Sequence, residues 1–360
     1  MPQRTTARKG SRGYNSYMSL IGIDVGTTGF KIALFSRDGE MLASAYEEHT
    51  IESPAPGQAQ LNARTIWQNI KGAIRSVTAV SEGAGIMALS VSSMGEAVVP
   101  VSADRRILGP SLLNFDERGE EFLTDFADKL PDSRLYAING NTLGNHYSLT
   151  KLKWIQTHQP DLYTETFKFL HWSAFVAFML GAEAAVDYSL ANRTLLFDLG
   201  KEEWSETLLA ETGLDRSKLP ETVPSGAIIG TVPGRIAADL GLPEGVLIIA
   251  GAHDQCANAV GCGVVDSGSA VYGMGTYHCI TPVFTRQPTP EIMIGRGLNT
   301  EHHAIPGRFV SFIYNQGGSL VKWYRDTFAA EEHRQAGEAG GSVYPALFDE
   351  LPEGPGKVMV

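Results

Sequence analysis

The sequence predicts an α/β protein with mixed sheets, in which an antiparallel meander precedes alternating helices and strands. Three apolar runs joined by short turns open the folded part, and helical patterns then alternate with buried-strand patterns. Hydrophobic residues make up 43% of the chain and charged residues 19%, an ordinary globular balance that can bury a sizeable core. The length of 360 residues suggests two domains.

The opening meander consists of the apolar runs Leu20–Asp24, Phe30–Phe35 and Glu40–His49. Asp38-Gly39, just before the third run, is a strong hairpin signal. A Rossmann domain would send its first strand directly into a helix, so this start argues against a dinucleotide-binding fold.

The elements after the meander are predicted from apolar periodicity. In the first helix, Ile66, Ile70, Ile74 and Val77 lie on one face. The patterns predict helices over Asn62–Thr78, Leu149–Thr157, Phe169–Met179 and Asp254–Val260, and strands over Ile86–Ser92, Glu96–Val101, Val246–Gly251 and Ala270–Tyr272.

Charge, cysteine content and hydropathy exclude several classes of protein. The net charge of -11 argues against nucleic acid as the main partner, because phosphate backbones require a basic face. Three cysteines without a CxxC pair indicate a reduced, cytoplasmic protein. No apolar run approaches the roughly 18 residues of a membrane span. Residues 1–17 are basic, polar and free of acidic residues, which favours a disordered leader or tag over a transit peptide of similar composition.

A turn after the first strand has the residues that phosphate binding requires. Asp24 offers a carboxylate for Mg²⁺, Gly26 allows backbone angles closed to other residues, and the hydroxyl and N–H groups of Thr27 and Thr28 can face a phosphate. Lys31 adds a cation within reach. The alternative is a hairpin turn in which the aspartate caps its own backbone. Walker A and GxGxxG patterns are both missing, so ATP would bind by another architecture.

A second glycine-rich region supplies a candidate base. Asp254 comes directly after a strand and at a helix start, where it could accept a proton from a substrate hydroxyl. The alternative is a plain N-cap aspartate. Gly273–Thr276, with Gly275 and Thr276, forms a second strand–turn unit that could contact phosphate.

Candidates for substrate binding lie between these regions. Met94 and Glu96 occupy a turn between two strands, and Asp116 and Arg118 follow another apolar run. Carboxylates and an arginine suit a polyhydroxylated ligand, whereas the alternative for Asp116 and Arg118 is a solvated loop. The histidines lack metal-ligand spacing, and no GxSxG elbow supports a hydrolase.

Taken together, these motifs resemble those of the FGGY carbohydrate kinases, which include xylulokinase, gluconokinase and glycerol kinase. The resemblance extends from about Leu20 to the end of the chain. The segments that carry it are Asp24–Lys31, Ser148–His158, Val186–Phe197, Gly251–Gly261, Gly273–Thr276 and Gln316–Phe328.

The resemblance implies a two-domain actin-like ATPase (ribonuclease H-like) fold with a truncated second domain. It places an N-terminal domain with the sugar and phosphate site in residues 19–262 and a partial nucleotide-side domain in residues 263–360. Residues 1–18 remain as the disordered leader or tag that the composition predicts. The resemblance also implies a carbohydrate kinase that uses ATP and Mg²⁺, with Asp254 as the general base and Asp24 as the Mg²⁺ ligand. The residues expected to bind the cofactor are Asp24, Gly26, Thr27, Thr28, Lys31, Gly275 and Thr276, and those expected to bind the substrate are Met94, Glu96, Asp116, Arg118 and Gln255.

Two departures leave the substrate and the completeness of the site open. Ser93-Met94-Gly95-Glu96 matches neither the xylulokinase pattern Gln-Met-His-Gly nor the Arg-Glu of glycerol kinases. The family's glycine-rich adenosine motif has no counterpart before Val360. The expected partner is a ketose, polyol or sugar acid, with no nucleic acid and no membrane, and a homodimer is left open. The alternative function is a non-catalytic, sugar-binding regulatory protein of the same family.

Overall fold

A computed structural model describes residues 18–80, 85–274 and 277–348. By packing, the chain divides into two compact units, which are described separately. The first contains residues 18–271 and Thr281–Ser311, and the second contains Tyr272–Ile280 and residues 312–348. The predicted boundary after residue 262 separates two domains of a protein family, whereas these units are defined by packing. That boundary therefore stays a prediction.

The strands and helices are numbered in chain order. The strands are β1 Ser19–Val25, β2 Gly29–Ser36, β3 Met41–Glu48, β4 Gln60–Leu61, β5 Ile86–Ser93, β6 Val98–Val101, β7 Ser111–Leu112, β8 Lys168–His171, β9 Ala185–Asp187, β10 Phe197–Asp198, β11 Glu203–Trp204, β12 Glu221–Val223, β13 Ile228–Thr231, β14 Leu247–Ile249, β15 Ala270–Met274, β16 Tyr277–Phe284, β17 Glu301–His302, β18 Phe309–Val310 and β19 Ile313–Gln316. The helices are α1 Ala63–Val80, α2 Leu123–Lys129, α3 Asp132–Asn139, α4 Ser148–His158, α5 Pro160–Glu165, α6 Trp172–Leu180, α7 Tyr188–Asn192, α8 Glu206–Thr212, α9 Gly234–Leu240, α10 Asp254–Gly261, α11 Pro290–Gly295, α12 Gly318–Phe328, α13 Ala330–Glu338 and α14 Tyr344–Phe348, with short 3₁₀ helices at Glu120–Phe122 and Arg216–Lys218.

A six-stranded mixed sheet organises the first unit, in the order β13-β14-β5-β1-β2-β3. Strands β1, β2 and β3 form the predicted antiparallel meander. Strands β5 and β14 run parallel to β1, and β13 closes the other edge antiparallel to β14. Helix α1 packs on β2 and β3 through its predicted apolar face, and Ile66, Ile70, Ile74 and Val77 are all buried. The predicted α/β class with a mixed sheet is therefore confirmed.

Two predicted elements have different limits in the structure. Residues 168–171, assigned in part to a helix, form β8 and pair antiparallel with β6, and the helix begins only at Trp172. Periodicity cannot separate a short buried strand from a buried helix when the apolar run is continuous. The strand expected from Glu96 begins at Val98, because Glu96 still lies in the turn.

The parallel strands β1, β5 and β14 bring their carboxyl ends to one edge of the sheet. Asp24 on β1 pairs in register with Ser92 on β5. Beyond the end of β14, His253 forms a parallel bridge to Ser93 on β5. The segments that follow neighbouring parallel strands therefore meet at this edge. This edge is the usual place for a ligand in an α/β sheet.

The second unit contains a small antiparallel pairing and the last helices. Residues 277–280 of β16 pair antiparallel with β19. The Tyr272 hydroxyl and Nδ1 of His278 lie 2.6 Å apart. Across residues 18–80, 85–274 and 277–348, no helix is both long and apolar enough to span a membrane.

Candidate active site

Two carboxylates, Asp24 and Asp254, come together at the carboxyl edge of the central sheet. Asp24 is the residue before the last in β1, and Asp254 is the first residue of α10, next to the bridge between His253 and Ser93. The charge of Asp24 raises the pKa of Asp254, so the two groups interact electrostatically. The predicted turn and the predicted base, some 230 residues apart in sequence, therefore lie at the same edge of the sheet.

The carboxylate of Asp24 accepts a hydrogen bond from the Ser92 hydroxyl, with 2.7 Å between Ser92 Oγ and Asp24 Oδ1. The Asp24 carboxylate therefore faces the neighbouring strand. The alternative prediction required it to cap its own turn. Desolvation in the cleft raises the pKa of Asp24, whereas the Ser92 hydroxyl and the positive charge of Lys31 lower it. Lys31 pairs with Asp24 across the hairpin and is exposed.

The turn between β1 and β2 is closed by backbone contacts. Gly26 N donates to Gly29 O at 2.9 Å, and Nε2 of His49 lies 2.9 Å from Thr27 O. The φ angle of Gly26 is outside the left-handed region, so the conformational reason predicted for this glycine is wrong. Local space does not require glycine either, because a Cβ here would lie in ordinary van der Waals contact with Gly29 O, at 3.4 Å. Thr28 is exposed, as a residue that meets a ligand would be.

Asp254 is not an N-cap, since that position belongs to His253. Desolvation is the largest cause that raises the pKa of Asp254 to about 7, followed by the charge of Asp24. Hydrogen bonds from the backbone and side chain of Gln255 and the charge of Arg193 oppose this rise. The side chain is 31% exposed, so a ligand can reach it. A carboxyl group with this pKa exchanges its proton near neutral pH, as a general base must.

A buried hydrogen-bond chain fixes the turn that carries Asp254. Ser189 Oγ accepts from His253 N at 2.9 Å. The carboxylate of Asp187 in turn binds the hydroxyl and backbone N–H of Ser189 and caps α7. Gly251 allows the close approach of the turn to β5, because a Cβ there would collide with the Val91 carbonyl oxygen.

Arg193 lies between two buried carboxylates. Its guanidinium forms ion pairs with Glu96 and, at 2.5 Å from Nη1 to Oε1, with Glu301. It also stacks on the Tyr147 ring at 4.9 Å. A Cβ on Gly95 would lie 3.1 Å from Arg193 Nε and 3.2 Å from Nε2 of His253, so this glycine faces both the arginine and the residue before Asp254. The predicted substrate residue Glu96 is thus held in a buried ion-pair cluster.

The side chains of Asp116 and Arg118 are both shielded from solvent. The Asp116 side chain is 0% exposed and that of Arg118 9% exposed, and they form a buried ion pair at 2.7 Å. Ala59 N donates to Asp116 Oδ2 at 2.6 Å, and Arg118 donates from its backbone and guanidinium. The solvated-loop alternative is therefore wrong. A role of this pair in substrate binding stays a prediction.

Met94 is buried next to the turn between β1 and β2, with its sulfur 3.9 Å from Thr27 Oγ1. A cleft of about 630 Å³ opens on the same side of the sheet as Asp24. Its lining includes Asp24, Lys31 and Ser92 together with the backbone around Gly251. Polar groups that converge on an otherwise apolar cleft are typical of a ligand site.

The remaining sequence predictions concern the second phosphate-binding turn and metal ligands. The predicted phosphate-binding residues Gly275 and Thr276 lie outside the described residues. Within the described ranges, no cluster of three or more acidic, histidine or cysteine side chains could hold a metal ion. Sequence reasoning missed Arg193 and Glu301. Arg193 lies in the segment Val186–Phe197 that carries the resemblance, whereas nothing in the sequence distinguishes Glu301.

The sheet order and its carboxylate-bearing edge define an actin-like ATPase fold, as predicted, and comparisons with known proteins agree. The structure superimposes on the crystal structure of xylulose kinase from Rhodospirillum rubrum with a TM-score of 0.84, covering 93% of this chain and 68% of that one at 24% identity. Residues 19–261 match the N-terminal domain of the FGGY family of carbohydrate kinases. The chain belongs to the FGGY family of carbohydrate kinases.

Curated relatives share a quarter or more of their aligned residues with this chain. A xylulose kinase of Escherichia coli is 28% identical over 307 residues, which is 84% of this chain and 62% of the relative. A gluconokinase of Bacillus subtilis is 26% identical over 336 residues, which is 92% of this chain and 64% of the relative. The chain thus spans a little under two thirds of the length of these curated relatives.

Proposed function

We propose that this protein transfers the γ-phosphate of ATP to a hydroxyl group of a sugar, polyol or sugar acid. One observation carries the proposal: Asp24 and Asp254 share one edge of the sheet, and their charges are coupled. The names of the relatives, xylulose kinase and gluconokinase, support a substrate of this class.

Asp254 has the properties of the general base. Its side chain is within reach of solvent, and its pKa of about 7 allows it to accept the proton of the acceptor hydroxyl at neutral pH. The hydroxyl oxygen then attacks phosphorus, the bond to the β,γ-bridging oxygen breaks, and ADP leaves with that electron pair. The chain from Asp187 through Ser189 to His253 N holds the base in place.

The residues around Asp24 fit Mg²⁺ that arrives with the nucleotide. Mg²⁺ is commonly held by one or two carboxylates together with substrate phosphates, and the described residues offer an exposed carboxylate but no complete metal cage. Asp24 would hold the ion, and Lys31 and the Thr27–Thr28 backbone would face the phosphates. When bound, Mg²⁺ neutralises charge on the transferred phosphoryl group.

ADP release tests the proposal in protein produced from the complete coding sequence. With Mg²⁺ and ATP, we expect turnover that requires a sugar, polyol or sugar acid. Asp254→Asn should lower kcat by about 10²–10⁴-fold, the usual contribution of a general base.

Asp266→Asn is the matched control, because Asp266 is an exposed aspartate that forms a surface ion pair with Arg308. Circular dichroism should show both variants folded. Turnover that survives Asp254→Asn would contradict the assignment of the base. Failure of every compound to stimulate ADP release would contradict the proposed function and favour a non-catalytic binding protein.

A further inference from the structure

We infer that the acceptor is an uncharged polyhydroxylated compound, a ketose or polyol, and that sugar acids are rejected. The inference rests on the proposed function, because it concerns the substrate of the same site. It follows from the charges around Asp254 and from how fully the neighbouring cations are paired.

Carboxyl groups outnumber cations around the candidate base. Asp24 and Asp254 share the sheet edge, and Glu96 and Glu301 flank Arg193. The contacts across Gly95 connect the two groups, since Arg193 and His253 both face this residue, and Nε2 of His253 is 3.3 Å from Asp254 Oδ1. A substrate hydroxyl that reaches Asp254 therefore enters a region with a negative balance.

Arg193 is the cation best placed to meet a substrate carboxylate, and it is already engaged. Two carboxylates hold its guanidinium, the Tyr147 ring covers it, and its side chain is only 6% exposed. Asn299 Nδ2 donates to Glu301 Oε1 at 2.6 Å, which fixes one of the two acidic partners from behind. To bind a sugar acid, Arg193 would have to break its ion pair with Glu96 or Glu301. That glutamate would then be buried without a counter-ion.

Among the other described basic groups near these residues, Lys31 is exposed and lies opposite Asp24 on the hairpin, where its charge lowers the pKa of that carboxylate. In the proposed function Lys31 faces the phosphates of ATP and not the acceptor. Arg118 is paired with Asp116, and Lys151 donates to the carbonyl oxygens of both residues. Burial lowers the pKa of His253 well below its usual value, so its imidazole is neutral at physiological pH.

A hydroxyl and a carboxylate would meet this surface differently. A hydroxyl can donate to a carboxylate oxygen and suffers no charge repulsion. A carboxylate in the same position brings like charges together in a partly desolvated site, which strongly disfavours binding. This repulsion gives specificity, because it weakens the binding of sugar acids and leaves the binding of uncharged ketoses and polyols unaffected.

Matched pairs of compounds test the inference in protein produced from the complete coding sequence. Each pair, such as xylitol and xylonate or ribitol and ribonate, differs by a terminal hydroxymethyl group and a carboxylate, and xylulose and ribulose are assayed beside them. We expect kcat/KM for each aldonate to be at least about tenfold lower than for its uncharged partner. Calorimetric titration of the same pairs gives the ratio of affinities even where turnover is slow.

The possible results separate the two claims. An aldonate that is used or bound as well as its uncharged partner overturns this inference and leaves the proposed kinase activity intact. Absence of turnover with all compounds overturns the proposed function, and the calorimetric ratio then still tests the preference for uncharged ligands.

Substitutions of the partners of Arg193 test the cause. Glu96→Gln and Glu301→Gln each free part of the arginine charge, and we expect the ratio of aldonate to polyol kcat/KM to rise about three- to tenfold. Glu221→Gln, at an exposed ion pair with Arg216, is the matched control and should leave the ratio unchanged. An unchanged ratio in both buried variants, with native circular dichroism, would contradict the role given to the cluster. Two variants are used so that one that fails to fold does not decide the test.

Discussion

Asp254 and Asp116 are both aspartates near the ends of short strands, yet the structure treats them in opposite ways. The carboxylate of Asp116 is inaccessible to solvent and receives hydrogen bonds from Ala59 N and from Arg118. The carboxylate of Asp254 is 31% exposed, and its Oδ1 accepts no hydrogen bond among the described contacts.

The difference shows how a structural carboxylate is distinguished from a reactive one. A buried carboxylate held by a guanidinium partner and by backbone N–H groups serves as one half of a structural ion pair. A carboxylate that is desolvated and placed beside a second negative charge, as Asp254 is, has a raised pKa and can take a proton from a ligand. Sequence position alone did not separate these cases, because both residues follow apolar runs.

The largest effect that tests this comparison is expected at Asp116. Asp116→Asn leaves the Arg118 guanidinium buried without its counter-ion, and we expect a loss of about 3–5 kcal/mol in the free energy of unfolding. Urea denaturation measures it. Asp104→Asn, at an exposed ion pair with Arg106, is the matched control and should leave the free energy of unfolding nearly unchanged.

A loss at Asp116 no larger than that of the control would break the comparison. A raised KM for the sugar with unchanged stability would instead support the substrate-binding role predicted for Asp116 from the sequence.

At Asp254 we expect the opposite sign, a gain in stability at neutral and higher pH when the charge is removed. The folded protein holds the Asp254 proton up to a pKa of about 7, whereas the unfolded chain releases it near the ordinary value for aspartate. The contribution of Asp254 to the free energy of unfolding therefore falls as pH rises from about 4 to about 7. Asp254→Asn removes that fall and should be more stable than the parent at pH 8 by on the order of 2 kcal/mol, allowing for the partial exposure of the side chain.

Thermal or urea unfolding of both proteins at several pH values measures the difference. A variant that is equally stable at pH 8, or a difference that does not shrink toward pH 4, would show that Asp254 is not under electrostatic strain.

The pH dependence of catalysis should follow the same ionisation. Asp254 must be ionised to act as a base, so kcat/KM should fall about tenfold per pH unit below a pKa near 7 and level off above it. Because the charge of Asp24 contributes to this pKa, Asp24→Asn should move the acidic limb to lower pH while also reducing the rate. A limb that stays in place in this variant would argue against the coupling of the two carboxylates.

The smallest effect is expected at Ser92, the donor to Asp24. Ser92→Ala removes one hydrogen bond to a carboxylate that faces solvent, and a loss of about 0.5–1.5 kcal/mol in stability is expected. Since this bond also lowers the pKa of Asp24, the variant should show a higher KM for Mg-ATP at acidic pH. Ser90→Ala, two residues earlier on β5 and on the same cleft, is the control. Equal behaviour of the two variants would remove Ser92 from the site.

Much of the fold could be predicted because its signals are local. The hairpin residues Asp38-Gly39 and the apolar stripe of α1 indicated the meander and the first helix, and the structure contains both. The boundary between β8 and α6 was predicted wrongly, because a continuous apolar run from Phe169 onward has no period that separates a strand from a helix.

The candidate site was only partly predictable. The sequence singled out Asp24 and Asp254 because each follows a strand, and parallel pairing then brings such positions to one edge. Glu301 gave no signal, since a charged residue in a short, late strand resembles many solvated residues. Its partnership with Arg193 depends on packing between segments more than 100 residues apart.

The sequence by itself determined which residues could do phosphoryl-transfer chemistry, because glycine, hydroxyl and carboxylate residues at strand ends are chemically suited to it wherever they occur. The tertiary structure decided how each one is used. Burial and the neighbouring donors bind Asp116 into an ion pair and pair Glu96 with Arg193. They leave Asp254 desolvated beside the charge of Asp24. The protonation of a carboxylate depends on the dielectric surroundings and charges within a few ångströms, and these come from parts of the chain that are distant in sequence.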